Sequence, residues 1–243
     1  YEYFWSDFCD WYIEAAKLAL DGEEEAEKDR KITVCLRILE ESLRLLHPFL
    51  PYVTEEIYQK LPNHGLSIVN APYPEFLRKR VDRDAQERFT LVQELVRAVR
   101  TLRSEFTIPT GAKIPVTVKT PGDDPAGQTF QHQKDLIALL IGSDKLQVTR
   151  ETVQRAGSIP AVGSGFEAFV YIKEAIDLDK EIEKLQKELG NLDAAFKRTT
   201  DKLANKAFVS KAPVEVVRKE KDKLEELRRR KAKIKGYIGE LTV

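Results

Sequence analysis

Apolar residues keep one rhythm through the last third of the chain. Leu178, Ile182, Leu185, Leu189, Leu192, Phe196, Thr199 and Leu203 stand alternately four and three residues apart. After a break from Asn205 to Pro213 the rhythm resumes at Val217, Glu220, Leu224, Leu227, Lys231, Ile234, Ile238 and Leu241. A seam of this period belongs to a helix that packs along another helix. Two seams on either side of a short break cover each other, which predicts an antiparallel helical hairpin. Each arm of ~26 residues would extend ~40 Å at the helical rise per residue. Pro213 suits the first turn of the second arm, where its missing N–H costs nothing. Gly190 costs the first arm roughly 1 kcal/mol relative to alanine, and close packing is the one reason the sequence offers for it.

Upstream the pattern is shorter in range. The opening, from Tyr1 to Lys17, is aromatic and apolar nearly all round: Phe4, Phe8, Trp11 and Ala15 follow one stripe, and Trp5, Tyr12 and Ala16 the neighbouring one. This predicts a helix that is deeply buried or has two packing faces. It ends at Asp21-Gly22, and Glu23-Glu24-Glu25 reads as a solvated loop. A second helix carries Ile32, Leu36, Leu39, Leu43 and Leu46 and stops at Pro48. A third starts near Thr54. After a proline-rich connector, Leu66 to Pro74, a long helix spans about Asp82 to Glu105, with Phe89, Val92, Val96, Val99 and Leu102 as its core stripe. Residues 1–113 thus read as a helical bundle. From Ile114 to Ile176 the period changes. Ile114–Lys119, Leu146–Thr149 and Phe166–Ile172 read as strands, Thr129–Ile141 as a helix, and glycine-rich turns lie between. The expected fold is mainly α: a bundle (1–113), a small α/β subdomain (114–176) and the coiled-coil hairpin (177–243).

Composition narrows the chemistry. At 243 residues, 42% hydrophobic and 33% charged, the chain can bury a core in one or two domains. No apolar run is long enough to span a bilayer, and two cysteines support neither a disulfide scaffold nor a multi-ligand zinc site. These features fit a reducing, cytoplasmic setting with no membrane partner. The absence of methionine, even at position 1, leads to the expectation that this is a piece of a longer chain. His47, His64 and His132 are isolated and lack metal-ligand spacing; His47, before Pro48, is expected to bond the final carbonyls of its helix. Cys9 and Cys35 read as small core residues. No phosphate loop or nucleophile elbow occurs, so no catalytic residue and no metal site is assigned.

Charge is the remaining signal. The total is zero, 40 bases against 40 acids, but from Asp177 onward 18 Lys and Arg face 13 Asp and Glu. The basic excess of five in the tail raises the expectation of a polyanionic partner. Arg97, Arg100 and Arg103 recur every three residues on the long helix. They suit a row of phosphate contacts, and a solvated helix face equally. Arg228-Arg229-Arg230-Lys231 is explained by ion pairing with Asp177, Asp179, Glu181 and Glu183 of the opposite arm. Near the hairpin's tip, with Leu203 opposite about Val217, Arg198 comes level with Lys223 and Lys202 with Lys219. Lys206 and Lys211 flank the break, and few acids stand nearby. A rod with bases near its end suits a folded RNA, held by phosphate attraction and selected by shape.

These residues also resemble a known family. Phe8-Cys9-Asp10-Trp11-Tyr12-Ile13-Glu14 and Leu45-Leu46-His47-Pro48-Phe49-Leu50-Pro51-Tyr52-Val53-Thr54-Glu55-Glu56-Ile57-Tyr58 are similar to the anticodon-binding helical domain of class I aminoacyl-tRNA synthetases for branched aliphatic amino acids. Leu102-Arg103-Ser104-Glu105-Phe106-Thr107-Ile108-Pro109 with Lys113-Ile114-Pro115-Val116 narrows the match. Ile176 to Leu185, Lys202-Leu203-Ala204-Asn205 and Phe208 to Val217 resemble the C-terminal coiled-coil arm of bacterial valyl-tRNA synthetases. The resemblance implies a parent enzyme, monomeric at full length, that attaches valine to tRNA(Val) with ATP and Mg²⁺. This segment carries neither the HIGH- nor the KMSKS-type signature, nor the editing domain. It would work beside the parent's catalytic and editing domains and bind tRNA without charging it. The family's pattern carries an anticodon role onto Ile13, as apolar support for a base, and Glu14, as acceptor from a base amino group. It carries contact with the outer corner of the tRNA, where D- and T-loops meet, onto Arg198 and Lys223. By the same comparison the chain opens inside the bundle, and helices completing it are expected elsewhere in the parent. Two rivals stay open at this point: a protein-interaction rod whose charges only solubilise it, and the equivalent region of an isoleucyl or leucyl enzyme.

Overall fold

The computed structural model describes residues 2–121, 125–151, 153, 156–173 and 175–242; Tyr1 and the side chain of Lys211 lie outside them. The chain forms two compact units, Tyr1–Phe89 with Gln133–Leu140, and Thr90–His132 with Ile141–Val243.

The first unit opens with a wide-wound helical segment, Tyr3–Ile13, bonded at the i→i+5 spacing, which continues directly into α1 (Glu14–Leu20). Long i→i+5 segments are uncommon. Here the wider turn brings residues four apart nearly over one another, and Phe4, Phe8 and Tyr12 pack ring on ring at 5.5 and 6.0 Å. Phe8, Trp11 and Ala16 are buried, whereas Tyr3 and Trp5 remain about half exposed. The helix is therefore not buried all round, and of the second expected stripe Ala16 is buried while Trp5 stays half exposed. α2 (Glu25–Leu46) begins earlier than expected: Glu25 and Glu27 lie in its first turn, where they complement the helix dipole, instead of extending the loop.

α3 (Pro51–Tyr58) starts with proline at its first position, three residues before the expected start. Two motif residues hold its ends. His47 does not bond helix carbonyls; its Nδ1 meets the Thr54 hydroxyl at 2.8 Å, and that hydroxyl donates to Leu50 O. Glu55 accepts from Ser67 Oγ (2.7 Å), Gln59 Nε2 (2.6 Å) and the Ile68 N–H (3.2 Å), fastening the connector onto α3. Leu43, Tyr58 and Ile68 form the small core beneath.

α4 (Arg83–Glu105) follows the predicted span, with Val92, Leu95, Val96, Val99 and Leu102 buried. Its end is a Schellman closure: the Ile108 N–H reaches Arg103 O (2.8 Å) and the Thr107 N–H reaches Ser104 O (3.1 Å). Thr107 carries the positive φ, +51°, that this closure demands. Arg103 departs from expectation. It is buried, and its guanidinium donates to the carbonyls of Pro109 (2.7 Å), Ala112 (2.9 Å), Ile141 (3.2 Å) and Gly142 (3.4 Å). A side chain so occupied binds loop ends, not phosphate.

The second unit holds a mixed sheet in the order β2-β1-β4-β3. β1 (Val116–Lys119) pairs parallel with β2 (Leu146–Thr149) and antiparallel with β4 (Phe166–Tyr171), which pairs with β3 (Ser158–Gly163). The sequence reading missed β3 because Pro160 interrupts it. The strand lies at an edge of the sheet, where a residue without an N–H is tolerated. The helix expected over Thr129–Ile141 is two helices, α5 (Pro125–His132) and α6 (Lys134–Ile141). His132 Nδ1 meets Gln128 O at 2.8 Å and satisfies a terminal carbonyl, which lets α5 end there.

The hairpin is present as predicted. α7 (Leu178–Ala204) is capped by the Asp177 side chain, which accepts from the Lys180 N–H. α9 (Val214–Thr242) returns along it. All sixteen seam residues are at least partly buried, with Leu185, Leu192, Thr199, Ile234 and Leu241 buried outright. The break contains a short helix, α8 (Lys206–Lys211), capped by the Asn205 side chain on the Ala207 and Phe208 N–H groups. Gly190 faces open space rather than a close neighbour, so packing does not explain it.

Two outcomes are expected. Arg103→Leu strips four carbonyls of their donor and lowers unfolding free energy by about 3 kcal/mol, read as a lower urea midpoint with an unchanged slope. The Ser67 hydroxyl, then Gln59 and the Ile68 N–H, hold the Glu55 carboxyl below its usual 4.5. Its folded-state pKa is depressed, so its stabilisation is present above pH 4.5 and is lost as pH falls through the lower folded value. Thermal melts of wild type and Glu55→Gln will differ at neutral pH and converge under acid.

Candidate nucleic-acid interface

The sequence decides where the arm's charge lies. Residues 197–223 hold nine bases and four acids, while the rest of 177–243 holds nine of each. The whole excess of five sits in these 27 residues around the tip, out of the 67 in the hairpin.

Cross-arm ion pairs fix the register. Glu188 meets Arg230 at 2.5 Å, Lys202 meets Glu220 at 2.5 Å, and Asp193 pairs with Lys231. The residue numbers of these partners add to 418, 422 and 424. Arg198 and Lys223, adding to 421, therefore stand level across the arm. They also share a side. Arg198, Lys202, Lys219 and Lys223 each directly precede a seam residue, as do Glu188 and Arg230. Glu188, Lys202, Lys223 and Arg230 precede seam residues reached by a four-residue step and flank the seam directly. Arg198 and Lys219 precede those reached by a three-residue step and are turned farther outward on the same side, and the Glu188–Arg230 bridge brings the two sides together. All four cations are exposed on that face.

They are not equivalent. The Lys202 ammonium lies between the Glu220 carboxylate and the ring of Phe208, 4.9 Å from its centroid. Glu220, a seam residue, is held below its usual pKa mainly by that hydrogen bond. Lys202 therefore ties α8 to both arms, and an acid does neutralise it, contrary to expectation. Arg198 bonds only its own helix, Nε to Ala194 O at 3.3 Å, among the contacts described. Its guanidinium face is left outward. Lys206 is exposed in α8, and so are Val209 of the same helix and Val214 at the start of α9, at 41% and 83%.

The basic run at 228–231 pairs as expected in kind but with other partners. Arg230 takes Glu188, Lys231 takes Asp193 and Arg228 takes Glu225. Asp177, Asp179, Glu181 and Glu183 lie further down the arm than the register allows. The Lys231 ammonium also sits over the Phe196 ring at 4.6 Å, its stem lying in the seam.

The remaining predicted residues are placed as follows. Ile13 ends the wide-wound segment and Glu14 begins α1; both are partly buried, and Glu14 pairs with Lys17 at 2.6 Å. Changes of helical winding recur at functional sites, and this one falls between these two residues. Arg97 and Arg100 are exposed on α4. Among the described residues no group of His, Cys, Asp and Glu could hold a metal ion, and no helix is long and apolar enough to cross a membrane.

The sequence reading passed over one cluster, at the arm's base. Glu105, ending α4, accepts from the Tyr237 hydroxyl (2.6 Å) and Lys233 Nζ (2.5 Å). The Phe106 and Tyr237 rings pack 5.1 Å apart. Burial and the Glu105 carboxylate push the Tyr237 phenol well above its usual 10. The available signal was Leu102 to Pro109, a motif in the resemblance to which no role had been given.

Comparison with known proteins agrees with the geometry. Residues 1–118 match the family described as anticodon-binding domain of tRNA ligase, and residues 177–242 the valyl tRNA synthetase tRNA binding arm. Similar proteins include the valine–tRNA ligases of Treponema denticola, 40% identical over 98% of this chain, and Thermotoga maritima, 37% identical over 99%. That of Bacillus subtilis is 36% identical over 97%. The chain spans 27–28% of the length of these relatives.

Lys202→Met removes the tie between α8 and the arms. It should speed hydrogen exchange in residues 206–211 severalfold while leaving the far end of the hairpin unchanged, measured by mass spectrometry.

Proposed function

The chain belongs to the valyl-tRNA synthetase family, and from that premise we propose that it is the tRNA-recognition portion of a valine–tRNA ligase. The bundle binds the anticodon region of tRNA(Val), with Ile13 supporting a base and Glu14 accepting from a base amino group. The arm leans on the outer corner of the tRNA. Arg198 and Lys223 make its phosphate contacts, Lys219 adds to them, and Lys202 orders the tip beside them. Arg97 and Arg100 give α4 further charge along the RNA backbone. The parent enzyme, cytoplasmic and monomeric, joins valine to tRNA with ATP and Mg²⁺ in its catalytic domain, and this portion orients the substrate for it.

The observation that carries this reading is the level, same-sided placement of Arg198 and Lys223 at the two ends of the tip stretch, 197–223, that holds all the arm's excess charge. Cations on one face of a rod can meet successive phosphates together, and each neutralised phosphate releases condensed counterions. The shape of a folded RNA then selects where the rod rests. The seam weighs against the interaction-rod reading. Its apolar edge is filled within the chain, so a partner helix finds no open groove along it. The tail's match and the names of the relatives favour valine over isoleucine or leucine.

Binding to tRNA(Val) across a salt series tests the reading. Arg198→Ala/Lys223→Ala should weaken binding about tenfold near 0.1 M salt and reduce the slope of log affinity against log salt by about 1.5, for two lost phosphate contacts. Equal affinity in the double variant would remove the arm contact from the proposal.

A further inference from the structure

From the contacts at the base of the arm, we propose that Glu105 is a positioning residue for tRNA binding: with Tyr237 it fixes the angle at which the hairpin leaves the body, and so where the tip cations meet the RNA. The inference rests on the tRNA-binding reading and deepens it.

Three observations on α4's last turn lead there. First, the turn is itself immobilised. The Arg103 guanidinium ties it inward to four carbonyls, and the Schellman bonds close its end. Second, the neighbouring carboxylate faces the arm. Glu105 accepts from Lys233 and Tyr237, which are four residues apart and so lie on one face of α9, one turn from each other. Two donors spaced along the helix resist tilting, which a single contact would not. Third, Phe106 packs its ring on Tyr237, and Lys233 Nζ lies 5.5 Å from the same ring's centroid, so the hydrogen bonds sit on an apolar footing.

Leverage makes this small contact matter. Over an arm ~40 Å long, each degree at the base displaces the tip ~0.7 Å. A tilt of a few degrees would carry Arg198 and Lys223 beyond hydrogen-bond reach of a phosphate. A loose arm could still find the RNA, but would lose orientational freedom on binding, and preorganisation avoids that cost. Removing the mount should therefore reduce affinity without changing how many phosphates are neutralised.

Glu105→Ala and Tyr237→Phe provide the test, the second because it keeps the ring on Phe106 and deletes only the hydroxyl. Spin labels at Ala207→Cys and Gln147→Cys, with Cys9 and Cys35 replaced by Ser, report the separation of tip and sheet in this chain. Both variants should broaden that distance distribution while hairpin helicity is retained. Binding to tRNA(Val) should weaken three- to tenfold with an unchanged salt slope, unlike Arg198→Ala/Lys223→Ala, which lowers the slope. Glu105→Gln, which keeps a hydrogen-bonding oxygen, should recover part of the affinity, and the Glu105→Ala/Tyr237→Phe pair should be less than additive. An unchanged distance distribution overturns the mount. So does unchanged affinity in both base variants while the tip variant binds weakly. If the tip variant binds normally, the arm's contact with tRNA falls instead, and the spin-label distances still decide whether Glu105 sets the arm's angle.

Discussion

The apolar seam between α7 and α9 is the constraint on which the arm depends. Each helix alone would leave a stripe of leucine and isoleucine in water, and burial of such side chains contributes roughly 1.5–3 kcal/mol each. That gain is available only when the two helices lie antiparallel in one register, because a slip would place charged flanks against the stripe. The register then fixes everything outside the seam. It brings Glu188 to Arg230, Lys202 to Glu220, and Arg198 level with Lys223. Hydrophobic packing thus arranges a set of charges whose mutual repulsion would otherwise drive them apart.

The charges divide by position. Along the lower arm, acids opposite bases make ion pairs that contribute little stability in water but leave that stretch neutral. Toward the tip the acids thin out, and one of them, Glu220, holds the lysine that orders α8. What stays outward is a small group of cations on a scaffold that does not have to be ordered on binding. In the proposed reading this separates two jobs. In it the bundle would meet unpaired anticodon bases, and the arm would meet backbone and shape at a distance, with no sequence readout of its own.

The last turn of α4 links these levels. Within six residues, Arg103 faces inward to backbone carbonyls, Glu105 faces the arm, and Phe106 and Ile108 fill the core. The Schellman closure at Thr107 makes this possible, since reversing the chain there lets residues on either side of it serve opposite surfaces. A motif that looks featureless in one dimension is a junction in three.

Much of the architecture was legible in the sequence. The hairpin, its register to within a few residues, the long α4 and three of the four strands follow from apolar periodicity, because each helix or strand buries a face whose spacing is written locally. The level pairing of Arg198 with Lys223 came from that same rhythm. Other features were decided only by tertiary structure. Arg103 looked like one of three equivalent surface arginines, since nothing nearby in the chain reveals carbonyls at 141 and 142 awaiting a donor. β3 was hidden because a proline is acceptable only at an edge, and which strand is an edge depends on the whole sheet. The partner of Lys202, the division of residues 125–141 into two helices, and the mount at Glu105 and Tyr237 share that origin. Periodicity records which face of an element turns inward; which distant group it meets there is set when the elements pack.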